Sequence, residues 1–543
     1  MAKINHRTME RKRESQNPRH EPEKSMSISV AESQLPASRG CEAPPQAGSA
    51  RQDDPELPRE WSNKRKWVSV ALASLLTTIP PVASSIVAPL LTQLGEELHI
   101  DNKVLQFLVL SSWQLTFNCG PFVLGPLSEV FGRVVVLQIG LAWFLAFNIG
   151  CGLCETTAAM VAFRFLAGFG GGAGIAVGLR SLPLPGCLYA DSSFTKTGFG
   201  IVTDLFAAHE RGAAVALYNI GPTLSPALGP VFSAFVVQYS TWRWAFHAVS
   251  IWTALALVLS MFLLRETRES VLLEKGNWTS THQAALSAAD HVQRLQMRKE
   301  RTRTQLLIAA RKTPAALLRP ILMLSTEPAI QVLAFLNAYL YGLMLLSIAT
   351  FPLLYEPIYH QSPSIAGLHY IALALGYLAG GFVCQICIDR TYNRLRNKLG
   401  GPSNQGQPEY RVPLMLLGSF SAPIGLLMSG WAAHYKVHWI AADIGFAIFA
   451  FGTMISIQCA TNYMVDAYTT FSASAVGATW FLRGLAGFGL PLIASNLYGH
   501  LGFGWGNTLL ALIAIGAGFL APLVLWKYGQ ILRARSRFVA VDQ

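Results

Sequence analysis

The sequence predicts an all-α membrane protein of twelve transmembrane helices in two six-helix bundles, and three observations carry that expectation. The 543 residues are 52% hydrophobic and only 13% charged, more apolar material than a soluble core conceals. Several apolar stretches exceed the ~18 residues that mark a bilayer-spanning helix. A long polar stretch, 265–326, divides the spans six and six.

Residues 1–66 are rich in Pro, Ser, Glu and Arg, with no apolar core long enough for a cleaved signal peptide, and are expected to form a disordered cytoplasmic arm. Lys64, Arg65 and Lys66 close the arm and would meet anionic headgroups, worth about 1 kcal/mol each near the surface. The spans are then read at 67–91, 104–126, 134–154, 157–177, 211–237, 243–264, 328–355, 364–388, 412–433, 438–463, 475–499 and 504–526. This makes 67–264 the N-terminal bundle, 265–326 a cytoplasmic linker, 327–527 the C-terminal bundle and 528–543 a cytoplasmic tail.

Basic residues set the orientation, because Lys and Arg gather in short cytoplasmic loops. With the N-terminus inside, those loops and the tail hold Arg133, Arg211, Arg265, Arg268, Arg319, Arg390, Arg394, Arg396, Lys398, Arg411, Lys527, Arg533, Arg535 and Arg537, against Lys103, Arg243 and Lys436 outside. Both termini are therefore expected in the cytosol. The net charge of +12 follows from this topology and is no sign of nucleic-acid binding. Asn277-Trp-Thr279 is a glycosylation triplet, but this orientation places it inside, where it would stay unmodified. Cys151-x-x-Cys154 and Cys384-x-x-Cys387 look like two halves of a zinc site, yet the topology puts them a bilayer apart, so no metal is expected. They read as small buried helix residues, with an outer disulfide at Cys151 or Cys154 as the alternative.

Gly125-Pro-Leu-Ser-Glu-Val-Phe-Gly-Arg133 joins the second and third spans, where glycine and charge are rare. Gly125 and Gly132 are expected to permit tight turns, and Glu129 and Arg133 to form a charge pair at the membrane surface. Arg164 is followed by an apolar run and is costly against lipid, so it should face a cavity or a carboxylate. Because it lies within two turns of its span's start, snorkelling to the outer interface is the other reading. Gly221-Pro-Thr-Leu-Ser-Pro-Ala-Leu-Gly-Pro230, with Gly221, Pro222, Pro226, Gly229 and Pro230, permits close helix approach and a bend. Polar or aromatic residues in otherwise apolar spans are substrate-cavity candidates: Trp113, Gln114, Asn118, Asn337, Tyr341, Gln458 and Asn462. Each has an ordinary helix-to-helix hydrogen bond as its alternative. No obvious buried carboxylate for proton uptake stands out, since Glu129, Asp204 and Asp466 read as nearer the cytosolic surface.

These motifs resemble those of the major facilitator superfamily. Residues 125–133 resemble its loop G-x-L-x-D-x-x-G-R-[KR], with Glu129 for the usual Asp and Val134 where a second basic residue is common. Phe163-Arg-Phe-Leu-Ala-Gly-Phe-Gly170 resembles the R-x-x-x-G motif of the fourth span, and 221–230 resembles the antiporter signature of drug exporters, with Ser225 and Ser233-Ala234 in place of glycines. Pro408-Glu-Tyr-Arg-Val-Pro413, Asn462-Tyr-Met-Val-Asp-Ala-Tyr468, Ser472-Ala-Ser-Ala475 and Arg533-Ala-Arg-Ser-Arg537 are similar to the fungal drug:proton antiporter group with twelve spans. The resemblance covers about 60–540. It implies the major facilitator fold, export of drugs, toxins, fungal metabolites or polyamines, proton coupling through Arg164, and a cytoplasmic latch of Gly125, Glu129, Gly132, Arg133 and Asp204.

Two internal similarities stand out. Glu129 and Arg133 after the second span are echoed by Asp389 and Arg390 after the eighth, as repeated halves would require. Arg164 to Gly170 and Arg483 to Gly489 are also alike, but they fall on non-equivalent spans and read as compositional coincidence.

Residues 177–197 do not fit the fourth span: with two prolines and three charges, no helix runs through them. In the proteins this chain resembles, the arginine motif continues directly to I-x-D-L-F and E-R-G, which occur here at 201–206 and 210–212. Deleting the 21 residues restores that spacing, and Val177-Gly178 is encodable as a splice donor. The segment reads as a retained intron or a genuine insertion, and complementary DNA carrying these codons through would end the first reading.

The expectation is a non-enzymatic exporter of amphipathic small molecules working by proton antiport. Its partners would be the substrate, protons and the lipid bilayer, with no cofactor, and a single chain would suffice. The plasma membrane is the expected location, with the vacuolar membrane as the alternative. A polyamine exporter, a non-transporting sensor and a damaged gene product are the rival readings; the acid-poor spans weigh against the first.

Overall fold

The computed structural model describes residues 61–174, 205–206, 211–264, 266, 318–399, 406–469 and 471–538. The polar arm to residue 60, the 177–197 segment, Asp204, most of the linker with Asn277, and the last residues of the tail lie outside them. The described part is built of helices: α1 (Asn63–Ser85), α2 (Val87–Glu97), α3 (Lys103–Phe131), α4 (Arg133–Leu153), α5 (Thr157–Gly171), α6 (Arg211–Tyr239), α7 (Trp242–Leu263), α8 (Pro328–Tyr355), α9 (Pro363–Leu368), α10 (Tyr370–Leu399), α11 (Val412–His434), α12 (Trp439–Ala467) and α13 (Ser472–Ala534).

Ten described helices are long and apolar enough to cross a bilayer. One of them, α13, is two helices meeting at Gly502, whose φ of +66° is open to glycine. With the shorter apolar α5, the described helices agree with twelve spans. The first span is broken, because α1 stops at Ser85 and α2 begins at Val87. Pro89 has no N–H to offer the Ser85 carbonyl, so the ladder cannot pass through Ile86 intact. The eighth span also differs from expectation: it begins as α9 and runs on as α10 to Leu399, well beyond residue 388, so Asp389 and Arg390 lie inside a helix.

Lipid gives helices no hydrophobic reason to associate, so close backbone approach must hold them together. In the C-terminal half, α11 and α12 lock through reciprocal glycines: a Cβ on Gly445 would meet the Ser429 amide at 2.6 Å, and one on Gly452 would meet the Gly418 carbonyl at 2.7 Å. In the N-terminal half, Gly168 of α5 lies against the Trp113 carbonyl of α3, 2.6 Å from where its Cβ would be. Large apolar side chains such as Phe262, Leu255, Leu153 and Leu520 stand exposed on the outer surfaces, as a hydrocarbon solvent allows.

Three of the C-terminal motifs, 408–413, 462–468 and 533–537, converge on one polar cluster. Arg533 bonds Glu409 through Nη2 at 2.7 and 2.8 Å and Nε at 3.1 Å, and Tyr463 donates to the same carboxylate at 3.4 Å. Arg411, 1% exposed, pairs with Asp466 of α12, reaches Asp389 of α10 at 3.4 Å and stacks over Tyr392. Tyr468 donates to Glu327 at 3.1 Å. A short 3-10 turn, Pro408–Arg411, carries both Glu409 and Arg411, so it ties the ends of α10, α12 and α13 together.

Arg411→Met should therefore leave Asp466 uncompensated and cost about 3–5 kcal/mol. Thermal unfolding of the purified protein in detergent should show a lowered midpoint, partly restored by adding Asp466→Asn; an unchanged midpoint would contradict the cluster's role.

Candidate functional site

The break in the first span creates the site. The last carbonyls of a helix lack internal donors, and α1 ends in the membrane, where no water can serve them. Arg164 of α5 supplies them. Its Nη1 donates to the Ala83 carbonyl at 2.9 Å and its Nη2 to the Ser84 carbonyl at 3.2 Å, while Nε reaches the Val109 carbonyl of α3 at 3.4 Å. The guanidinium lies 4.9 Å from the Trp113 ring, and the residue is 0% exposed. Among the described residues Arg164 has no carboxylate partner, and its full burial leaves it away from any surface to which it could snorkel. It faces backbone dipoles at the negative end of a helix.

Ser84 is shared. Its carbonyl takes Arg164, and its hydroxyl accepts from Gln114 Nε2 at 2.7 Å. Gln114 Oε1 in turn accepts from the Tyr341 hydroxyl of α8 at 3.0 Å, which joins the N-terminal half to the C-terminal half. Gln114 lies 11 residues into α3, about 16 Å along its axis and so near the middle of the membrane. Asn118 donates to the Gln114 carbonyl at 2.8 Å and packs against Gly484 of α13. Trp113 is buried with its indole N–H unpartnered. Four of the seven cavity candidates (Trp113, Gln114, Asn118 and Tyr341) are thus brought together. Asn337 and Asn462 are buried, each with one side-chain atom unpartnered, and Gln458 is half-buried; none of these three bonds to the cluster.

The proline-rich α6 is completed by serines. Pro222 leaves the Tyr218 carbonyl without its helical donor, and Ser74 of α1 supplies one at 2.9 Å. Pro226 does the same to the Pro222 carbonyl, and Ser225 serves it at 2.7 Å. Ser225, where the resembling signature has glycine, thus has a structural use. Ser85 donates to the Ser225 carbonyl at 3.0 Å. Gly221 abuts Thr78, and a Cβ on Gly229 would lie 2.6 Å from the Val82 carbonyl, so α1 and α6 touch along their backbones. Gly221, Pro222, Pro226, Gly229 and Pro230 all lie within this one helix, which stays helical throughout.

The 125–133 motif is mostly helix. Gly125 lies inside α3 with open space where a Cβ would stand, so it makes no turn; a motif glycine there needs neither unusual φ nor close approach. Gly132, with φ +102°, alone links α3 to α4. The carboxylate of Glu266 takes the Arg133 amide at 3.0 Å and the Val134 amide at 3.2 Å, an anion on a helix N-terminus. Arg133 is buried. The Glu129 side chain and Asp204 lie outside the described residues. Cys151, Cys154, Cys384 and Cys387 are all free thiols, and Cys154 donates to the Cys151 carbonyl at 3.1 Å.

A second polar cluster sits at the opposite end of the C-terminal half. His369 Nδ1 lies 2.7 Å from Asp443 Oδ2, its Nε2 is 2.6 Å from Gln361, and Tyr355 donates to Asp443 Oδ1 at 2.5 Å. The Tyr355 and His369 rings stack at 3.8 Å. At the matching end of the N-terminal half, Glu97 accepts from Trp242 and Arg243. Burial alone would raise that carboxyl, but these hydrogen bonds and the Arg243 charge outweigh it and hold Glu97 below the usual carboxylate range.

Sequence reasoning missed Glu266, Asp443 with His369, and Arg483. Arg483 of α13 lies 4.1 Å from the Tyr341 ring and 5.8 Å from that of Trp480. The repeat of Arg164 to Gly170 at Arg483 to Gly489 was the available signal for it.

Comparison with known proteins agrees with this architecture. The sequence profile of the Major Facilitator Superfamily matches residues 73–183 and 189–491, and the gap between the two stretches falls inside the 177–197 segment. The chain is 38% identical to the uncharacterized transporter C1529.01 of Schizosaccharomyces pombe, over 90% of this chain and 92% of that protein. It is 37% identical to the efflux pump vrtL of Penicillium aethiopicum, over 90% of each. Among solved structures, the xylose transporter XylE from E. coli, in a partially occluded inward open conformation, aligns with a TM-score of 0.58 at 15% identity, covering 86% of this chain and 98% of that one.

Gly229→Leu should separate α1 from α6 and destroy the Ser85 to Ser225 bond. Expected is loss of monodisperse protein on size exclusion, with Gly125→Leu, which meets open space, behaving as the unaltered chain; equal behaviour of the two variants would refute the contact.

Proposed function

This chain belongs to the major facilitator superfamily, a multi-pass membrane transporter and not an enzyme, and from that premise we propose that it exports amphipathic small molecules by proton antiport with alternating access. The seat of Arg164 on the broken first span carries the reading. It shares Ser84 with a hydrogen-bond chain that crosses between the halves at mid-membrane, so movement of one half against the other must disturb it.

The basic residues favour cytoplasmic termini, which puts the His369–Asp443 pair at the outer end, where an antiporter meets incoming protons. Tyr355, bonded to Asp443, and Tyr341, bonded to Gln114, lie on the same helix α8, 14 residues or about 21 Å apart. This helix, with Pro352 between the two tyrosines and the freed Ile348 carbonyl served by Tyr370 at 2.7 Å, links the proton site to the centre. On the cytoplasmic side Glu266, with Gly132 and Arg133, ties α4 to the chain after α7, and Glu129 and Asp204 would complete the latch. A pathway between two bundles of one chain needs no second copy, and the plasma membrane is the location this reading favours.

Retention of xanthene dyes in pump-deficient yeast tests the proposal. Arg164→Ala should abolish export at normal surface expression. Arg164→Lys keeps the charge but gives up the fork that reaches two carbonyls, and should cut export by about tenfold. Unaltered export by both variants would count heavily against the coupling role.

In proteoliposomes with an imposed pH gradient, Asp443→Asn should remove gradient-driven transport while leaving downhill dye exchange. Full gradient-driven transport in this variant would eliminate the His369–Asp443 pair as the proton site.

A further inference from the structure

One central charge takes no part in the coupling described above. Arg483 lies 11 residues into α13, about 16 Å along the axis and so at mid-membrane, on the seam where α3 of one half meets α13 of the other. Its immediate helical neighbour Gly484 touches Asn118 across that seam.

Four other arginines are held by bonds already described: Arg164 by three carbonyls, Arg411 by Asp466 and Asp389, Arg533 by Glu409, Arg243 by Glu97. Arg483 has no ion pair and no hydrogen bond among the described residues, and its Nε is buried without a partner. Its charge faces only the rings of Tyr341 and Trp480. Such a cation is expensive in a membrane and persists where it has a ligand to meet. Tyr377 nearby is buried with an unpartnered hydroxyl, a second donor within electrostatic reach of Arg483. The described carboxylates lie toward the two ends, with Glu266, Glu327, Asp389, Glu409 and Asp466 among those on one side and Glu97, Glu155, Glu356 and Asp443 among those on the other. Among the described residues a cationic substrate therefore finds no acid at the centre, and an anionic one finds an uncommitted guanidinium flanked by flat aromatic faces.

We propose that Arg483 recognises the anionic group of the substrate, and that the molecules carried are acidic aromatic amphiphiles such as carboxylates, phenolates or sulfonates. This deepens the efflux reading and rests on it for the direction of transport. The guanidinium fork grips the anion while Trp480 and Tyr341 cover the ring system, and Tyr377 donates a further hydrogen bond.

Fluorescein and rhodamine 123 share a xanthene skeleton and differ in charge, which makes them a matched pair of probes. Fluorescence polarisation with the purified full chain should show tighter binding of fluorescein. Arg483→Gln should weaken fluorescein binding by about tenfold or more and shift preference toward rhodamine 123, whereas Arg483→Lys should keep the preference for the anion. Unchanged fluorescein affinity in Arg483→Gln, or equal loss of both dyes in a variant with an unaltered unfolding midpoint, would overturn the proposal. If Arg483→Gln does not fold, Arg483→Lys decides: retained anion preference supports the site and reversed preference refutes it. Binding of fluorescein without its transport in proteoliposomes would leave the anion site standing and remove the efflux reading.

Discussion

A helix interrupted inside a bilayer must find donors for the carbonyls it leaves behind, because lipid offers none. Much of the N-terminal half is organised around that requirement. The break at Ile86 and the prolines of α6 release carbonyls at Ala83, Ser84, Tyr218 and Pro222, and Arg164, Ser74 and Ser225 each complete one or two of them. The same bonds bring α1, α5 and α6 together, so the elements that would weaken isolated helices set their packing. A buried cation without a carboxylate is stable here because several oriented dipoles share its charge.

The two halves manage their ends on the side of the chain termini differently. Among the described residues of the N-terminal half, the Glu266 carboxylate is held by backbone amides at the start of α4. In the C-terminal half, arginines and acids from the Pro408–Arg411 turn and the ends of α10, α12 and α13 form a mesh of side chains. Side chains rearrange without unfolding a helix, whereas amides of a helix terminus cannot be re-aimed separately.

The spans were legible because hydropathy and length act residue by residue, and α1 to α13 follow the apolar runs closely. Gly132 was legible from its place before Arg133, and Arg164 from its cost in an apolar run. Gly125 misled because a motif spacing was read as a loop, while nothing in a glycine distinguishes helix from turn. Asp443 and His369 were hidden because 74 residues separate them, and each alone looks like a charge near a span boundary. Arg483 was set aside because its repeat falls on a non-equivalent span, yet contact with the Tyr341 ring depends on where a side chain points and not on internal symmetry. Glu266 sits in an ordinary polar run, and only the folded chain brings it to the amides of α4.

The single-glycine links at Gly132 and Gly502 bear on how far neighbouring helices can move against one another. One residue spans about 3.8 Å, so the start of α4 stays beside the end of α3, and the second part of α13 stays beside the end of the first. Neither pair has slack for one helix to slide along the membrane normal past its neighbour at the joined end. Each pair therefore pivots at its glycine, and relative sliding is left to helices joined by longer connections.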